Sequence, residues 1–218
     1  MSYRILKVED LKNIEAYNWF KTFENPCFSF NVKMDVTKVL EYSHKTKTSF
    51  FINVLYLITK GCSLVEEMRI RLSGEEIRLY EKINPAFTVM TNKGIFANAR
   101  AKWNDDYKEF YSATHTLIEE VKRGEHLDKE YNSKDYSYYY MTCIPWLSME
   151  GMTHPLPNKD LESLSVPRIC WDKYREENGK IVFLLNITVN HMFVDGEPCS
   201  RAFNEIKKLF DNCEDYLR

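Results

Sequence analysis

The run IVFLLNITVN, residues 181–190, constrains the fold more than any other stretch of the chain. It is far shorter than the roughly 20 apolar residues of a membrane span. Its unbroken apolar character leaves no face for water, so it reads as a strand covered on both sides, the position of a central strand in an α/β sheet. Other segments supply the cover. Residues 28–36, FSFNVKMDV, alternate, with Phe28, Phe30, Val32 and Met34 on one side, which predicts a half-buried strand. Asp35 or Thr37 is placed to cap a helix through KVLEYSHK. Residues 49–68 read as a long buried helix with Gly61 as its weak point.

Short strands follow in RIRL, EIRLYE, AFTVMT and GIFANAR, with turns at SGEE and NKG. Residues 104–124 form a capped amphipathic helix ending at Gly124, and residues 134–148 are aromatic and β-prone. Cys199, Ala202, Phe203, Ile206, Leu209, Phe210 and Cys213 keep helical spacing at the end of the chain. Strands and helices thus interleave without strict βαβ alternation. We expect one α/β domain over residues 1–218 with a mixed sheet. Residues 149–167 are the one long irregular stretch, of the kind that often carries function.

Composition narrows the function. The 218 residues are 44% hydrophobic and 14% aromatic, enough for a real core, so disorder is excluded. A net charge of −2 offers no basic footprint for nucleic acid. No segment reads as a membrane span or signal peptide, and a cytoplasmic location is expected. Six cysteines, with no C-x-x-C pair and no clustered histidine, predict free thiols and no metal site.

Directly after the central run comes NHMFVDG. His191 and Asp195 lie at a strand end beside a helix start, where α/β enzymes place reactive groups. A capped turn is the competing reading, with Asp195 bonding local backbone and Gly196 taking a positive φ. Ser148, in IPWLS, is placed to donate a hydrogen bond to an oxyanion, or is an ordinary turn serine. The YSYYYM run, residues 136–141, is either a stacking surface or a strand with alternating rings. The other histidines, at 44, 115, 126 and 154, have polar neighbours and read as surface residues. There is no G-x-G-x-x-G, P-loop or G-x-S-x-G.

Taken together, these segments resemble the chloramphenicol acetyltransferase family. NHMFVDG is similar to its H-H-x-x-x-D-G, PWLS to its P-W-V-S/N, and GEEIRLYEKINPAFTVM to its G-E-L-x-x-W-D-S-V-x-P-x-x-T-V-F. EEMRIRL, KMDVT and DKYREENGKIVFLLNITVNH match further family segments in order, so the likeness spans about residues 15–212. The resemblance implies a two-layer α/β fold with a mixed β-sheet, a homotrimer with active sites at subunit interfaces, acetyl-CoA as cosubstrate and no tightly bound cofactor. It implies O-acetylation of chloramphenicol or a similar acceptor, the chemistry of resistance to that antibiotic. His191 would be the general base and Ser148 the oxyanion donor. Asp195 and Gly196 would shape the loop that aims His191. Trp19, Phe20 and Cys170 would line the acceptor pocket, and Lys173 and Tyr174 the coenzyme end. This chain departs from the family at three places. Asn190 replaces the first His, Asn13 replaces the Arg that pairs with the Asp, and GMTHPLPNK replaces a strand that contacts the antibiotic. With that Arg gone, Lys12 or Arg4 is the expected cation for Asp195.

Overall fold

The structure is a computed structural model and describes residues 2–125 and 135–218; His126 lies outside them. In chain order its elements are β1 (Tyr3–Leu6), α1 (Ile14–Phe20), β2 (Cys27–Asp35), α2 (Thr37–Thr46), α3 (Phe50–Ser63), β3 (Ile70–Ser73), β4 (Glu76–Tyr80), β5 (Asn84–Met90) and β6 (Phe96–Arg100). They continue with α4 (Tyr107–Arg123), β7 (Tyr138–Ile144), α5 (Leu161–Leu164), β8 (Arg168–Asp172), β9 (Arg175–Glu177), β10 (Lys180–Asn190), α6 (Gly196–Asp211) and α7 (Cys213–Tyr216). The main sheet runs β2-β10-β8-β7-β5-β6, with β9 paired to β10, and a small sheet runs β1-β4-β3. The steps β5–β7 and β7–β8 are parallel and the others antiparallel, so the sheet is mixed as expected.

The apolar run is strand β10, buried from Val182 to Asn190. Alternation sends its side chains to opposite faces. Phe183, Leu185, Ile187 and Val189 join the main core with residues of α3 and α6, and Phe183 meets Phe210 edge-on at 5.9 Å. Gly61 is not the weak point expected of it. A Cβ there would stand 2.6 Å from Ile206 Cγ1 and 3.0 Å from Ile206 Cα. Only a hydrogen lets α3 approach α6 so closely.

The opposite face of the sheet is polar. One row runs straight across it through Arg100, Ala86, Tyr140, Arg168, Thr188 and Ser29. Residues 149–160 cover part of this face. Asn31 Oδ1 accepts from Met152 N–H at 3.3 Å and from Asn186 Nδ2 at 3.0 Å, and Asn186 also donates to the Met152 carbonyl.

The sheet opens between β5 and β7. The β5–β7 ladder stops at Phe87–Met141, although β5 stays paired to β6 through Met90 and β7 to β8 through Ile144. Past that point the two strands diverge. Thr88 Oγ1 and Thr142 Oγ1, 2.9 Å apart, stand at the throat of the gap.

Candidate active site

His191 stands just past the end of β10, its N–H donating to the Pro26 carbonyl at 2.9 Å in continuation of the ladder with β2. Helix α1 brings Phe20 flat against the imidazole, with centroids 4.0 Å apart and planes at 15°, and Phe28 closes a second side at 4.8 Å. Trp19 packs on Phe20 and is otherwise exposed. Asp195 Oδ1 lies 3.1 Å from His191 Nδ1, off the direction a hydrogen bond would need. That carboxylate favours the tautomer with the proton on Nδ1, which leaves Nε2 free to take one.

Asp195 has a different partner from the one expected. Asn13 Nδ2 donates to Asp195 Oδ2 at 2.9 Å, while Asn13 Oδ1 accepts from Ala16 N–H at 2.9 Å and caps α1. Lys12 is spent on Glu67 at 2.6 Å and Arg4 on Glu66 at 3.6 Å. A neutral amide thus stands where the resemblance led us to expect a guanidinium. It ties the start of the Phe20 helix to the His191 loop. Asp195 caps nothing with its side chain, and Gly196 has no positive φ. Gly196 is simply the first residue of α6, and the capped-turn reading fails on both counts.

Ser148 is exposed, with its hydroxyl donating to the Lys173 carbonyl at 3.3 Å. The neighbouring backbone is fixed by Asp172, a buried carboxylate that the sequence reading missed. Its Oδ2 accepts from Met149 N–H at 2.6 Å and its Oδ1 from Leu184 N–H at 2.7 Å, with Arg175 3.4 Å away. An acidic residue ending a buried strand was the available signal. Ser148 therefore belongs to the Asp172–Leu184 end of the sheet, while His191 belongs to the other. From Leu184 to His191 is seven strand steps, more than about 20 Å at 3.3 Å per step. Within one chain the two residues do not meet.

Lys173 and Tyr174 line a cavity of about 840 Å³, with Phe50, Trp146, Trp171 and Lys122. Tyr174 meets Phe50 edge-on at 5.3 Å. The cavity reaches the throat, where Thr88 and Thr142 line it, and a second cavity of about 140 Å³ opens from the same two threonines. The two cavities thus share the hydrogen-bonded threonine pair. Cys170 is buried in the sheet beside Thr142 and Asn186, its thiol pushed up to about 12 by burial and by the Asp172 carboxylate.

His154 is not a surface histidine. It lines the smaller cavity, its Nε2 buried and unpartnered. Burial first, then the positive charge of Arg168, lowers its pKa to about 4.

Comparison with known proteins bears on what these parts do. The family model described as "Chloramphenicol acetyltransferase" matches residues 1–207. The chain is 25% identical over 221 residues to the Vibrio anguillarum chloramphenicol acetyltransferase, covering 99% of this chain and 98% of the relative. It is 22% identical over 186 residues to chloramphenicol acetyltransferase 2 of Escherichia coli, at 85% and 86% coverage. A solved chloramphenicol acetyltransferase superposes with a TM-score of 0.87 at 20% identity, covering 96% of this chain and 100% of that one. The cubic core of a pyruvate dehydrogenase complex superposes at 0.68 and 11% identity, covering 93% and 88%.

Proposed function

The chain belongs to the chloramphenicol acetyltransferase family, a family of acyltransferases, and from that premise we propose that it moves acetyl from acetyl-CoA to a hydroxyl of chloramphenicol or a similar small acceptor, in a site shared by two chains. The observation that carries the shared site is the separation of His191 from Ser148 across the sheet. If both act on one acetyl group, they come from different subunits. Each end also exposes apolar surface suited to a subunit contact. Trp19 and Phe23 flank His191, and Trp146 and Leu147 flank Ser148. Closed symmetry is the rule for such assemblies, and the family likeness supports a homotrimer.

The larger cavity suits the coenzyme. Its apolar walls fit a pantetheine-like arm, and Lys173 on its lining offers a cation to the coenzyme's phosphates. The thioester then reaches the throat. His191 Nε2 takes the proton of the acceptor hydroxyl as its oxygen attacks the thioester carbon. Ser148 donates to the oxyanion of the tetrahedral intermediate, a role worth about 3–4 kcal/mol in comparable sites. Collapse breaks the C–S bond, and the sulfur takes the proton from imidazolium. Asp195 and Asn13 keep the ring oriented throughout. No covalent enzyme intermediate is required.

The test is CoA thiol release from acetyl-CoA with chloramphenicol present, for the natural chain and for His191→Ala. Loss of a general base costs roughly 10²–10⁴ in rate. Undiminished turnover by a folded His191→Ala chain would remove His191 from the mechanism.

A further inference from the structure

We propose that Asp172 is a positioning residue for acetyl transfer, its buried carboxylate holding the backbone of Ser148 where the serine hydroxyl can meet the oxyanion. The proposal rests on the transfer reading above and deepens its oxyanion step.

Asp172 sits where one strand pairing gives way to another. The ladder between β8 and β10 ends at Trp171–Leu185. At the next position along β10, Leu184 N–H donates to Asp172 Oδ1 at 2.7 Å. The side chain stands in for strand backbone, and the main chain of Lys173 is turned toward residues 147–149 instead. Lys173 N–H donates to the Leu147 carbonyl at 3.1 Å, and the Lys173 carbonyl accepts from the Ser148 hydroxyl at 3.3 Å. Asp172 Oδ2 accepts from Met149 N–H at 2.6 Å.

Leu147, Ser148 and Met149 are thus each bonded to residue 172 or 173. Two of the bonds fix backbone on either side of Ser148 and leave its hydroxyl as the part that turns. At 3.3 Å the hydroxyl's own bond is long, since O–H donors favour 2.7–2.8 Å. An oxyanion therefore competes for that proton easily, while the backbone has nothing left to reorganise. A donor held in advance in this way is what oxyanion stabilisation requires.

The position demands a carboxylate. Each oxygen faces one backbone N–H, from β10 and from the serine loop. An amide offers a single acceptor and would turn its NH2 group against the other N–H. The Asp172 side chain is fully buried, with Arg175 3.4 Å away and Arg175 in turn held by Glu177 at 2.8 Å. A bond lost in such a place leaves a polar group unpaired. An apolar side chain would close the end of a buried strand without the cost of desolvating a charge. What the carboxylate adds is a rigid link from the central strand to Ser148.

The experiment is a double-mutant cycle on the full chain, read as CoA thiol release from acetyl-CoA with chloramphenicol, both substrates varied. Asp172→Asn should lower kcat about 10–100-fold through displacement of the serine, with KM for both substrates nearly unchanged. Because Asp172 acts only through Ser148, the loss should not exceed that of Ser148→Ala. Added to Ser148→Ala, Asp172→Asn should change kcat by less than about twofold. A purely structural residue would lower activity by the same factor in both backgrounds, and that result would overturn the proposal. So would a natural kcat in Asp172→Asn, or a loss confined to KM for acetyl-CoA, since Asp172 also lines the larger cavity and would then be a coenzyme contact. Amide hydrogen exchange on the natural chain needs no variant and covers an Asp172→Asn chain that fails to fold. Met149 N–H should be protected, and exchange at the rate of free backbone would overturn the link. An absence of turnover by the natural chain, with Met149 protected, would instead remove the transfer reading and this proposal with it.

Discussion

Replacing Asn13 by Ala removes two bonds at once. The amide oxygen caps α1 through Ala16 N–H, and the amide nitrogen holds Asp195 Oδ2, both at 2.9 Å. A lost N-cap of this kind costs about 1 kcal/mol. The bond to the carboxylate is partly exposed, since Asn13 is on the surface and the Asp195 side chain is 36% exposed. Solvent screening therefore holds its share to about 0.5–1 kcal/mol. Together the loss is about 1.5–2 kcal/mol, which at 2–4 °C per kcal/mol for a chain of this length lowers Tm by about 3–8 °C. Activity should fall further than stability, because α1 carries Phe20 against the imidazole and the loop carries Asp195 beside Nδ1. A misplacement of about 1 Å costs on the order of 10² in rate. Asn13→Asp separates the two effects. It keeps an acceptor for Ala16 N–H yet sets a carboxylate against Asp195, so it should retain more of the Tm than the activity. Thermal melts beside acetyl-CoA turnover make the measurement. An Asn13→Ala chain with unchanged Tm and unchanged turnover would refute the link between α1 and His191.

Ser148→Ala should lower kcat by about 10²–10³ with KM for either substrate nearly unchanged, since the oxyanion exists only past the ground state; steady-state kinetics with both substrates varied checks it, and a dominant KM effect would assign Ser148 to binding. Gly61→Ala should cost about 1–3 kcal/mol by chemical denaturation, because its Cβ collides with Ile206 backbone as well as side chain. His154 has a folded pKa near 4, below its unfolded value. Its neutral form is native, so stability is full at neutral pH and is lost as pH falls from about 6.5 toward 4. A His154→Gln chain should show a shallower loss across that window in pH-dependent melts.

Local chemistry made much of this molecule legible in advance. The run at 181–190 announced a strand buried on both faces, and β10 is one. The helical spacing from Cys199 to Cys213 marked α6, and Asp106 and Gly124 bound α4 as caps, the latter in the left-handed conformation. What could not be read was long-range. Asn13 meets Asp195 across 182 positions, so replacement of an Arg looked like a lost partner when the shorter amide had taken its place. Gly61 looked weak because helix propensity ignores Ile206. His154 looked exposed because its sequence neighbours are polar, yet the segment folds back over Asn186 and Arg168. The opposite placement of His191 and Ser148 depends on register across three strands, which no local pattern encodes.

Mixing two inactive chains tests the shared site most directly. His191→Ala and Ser148→Ala chains, unfolded together in equal amounts and refolded, should assemble at random into mixed trimers. An interface is competent when one chain supplies His191 and its neighbour supplies Ser148, which occurs at about one quarter of interfaces in a ring assembled at random. The account predicts recovery of about a quarter of natural activity, far above that of either variant refolded alone. Activity no greater than the average of the two separate variants, from mixed trimers verified by mass, would place both residues in one chain and contradict it.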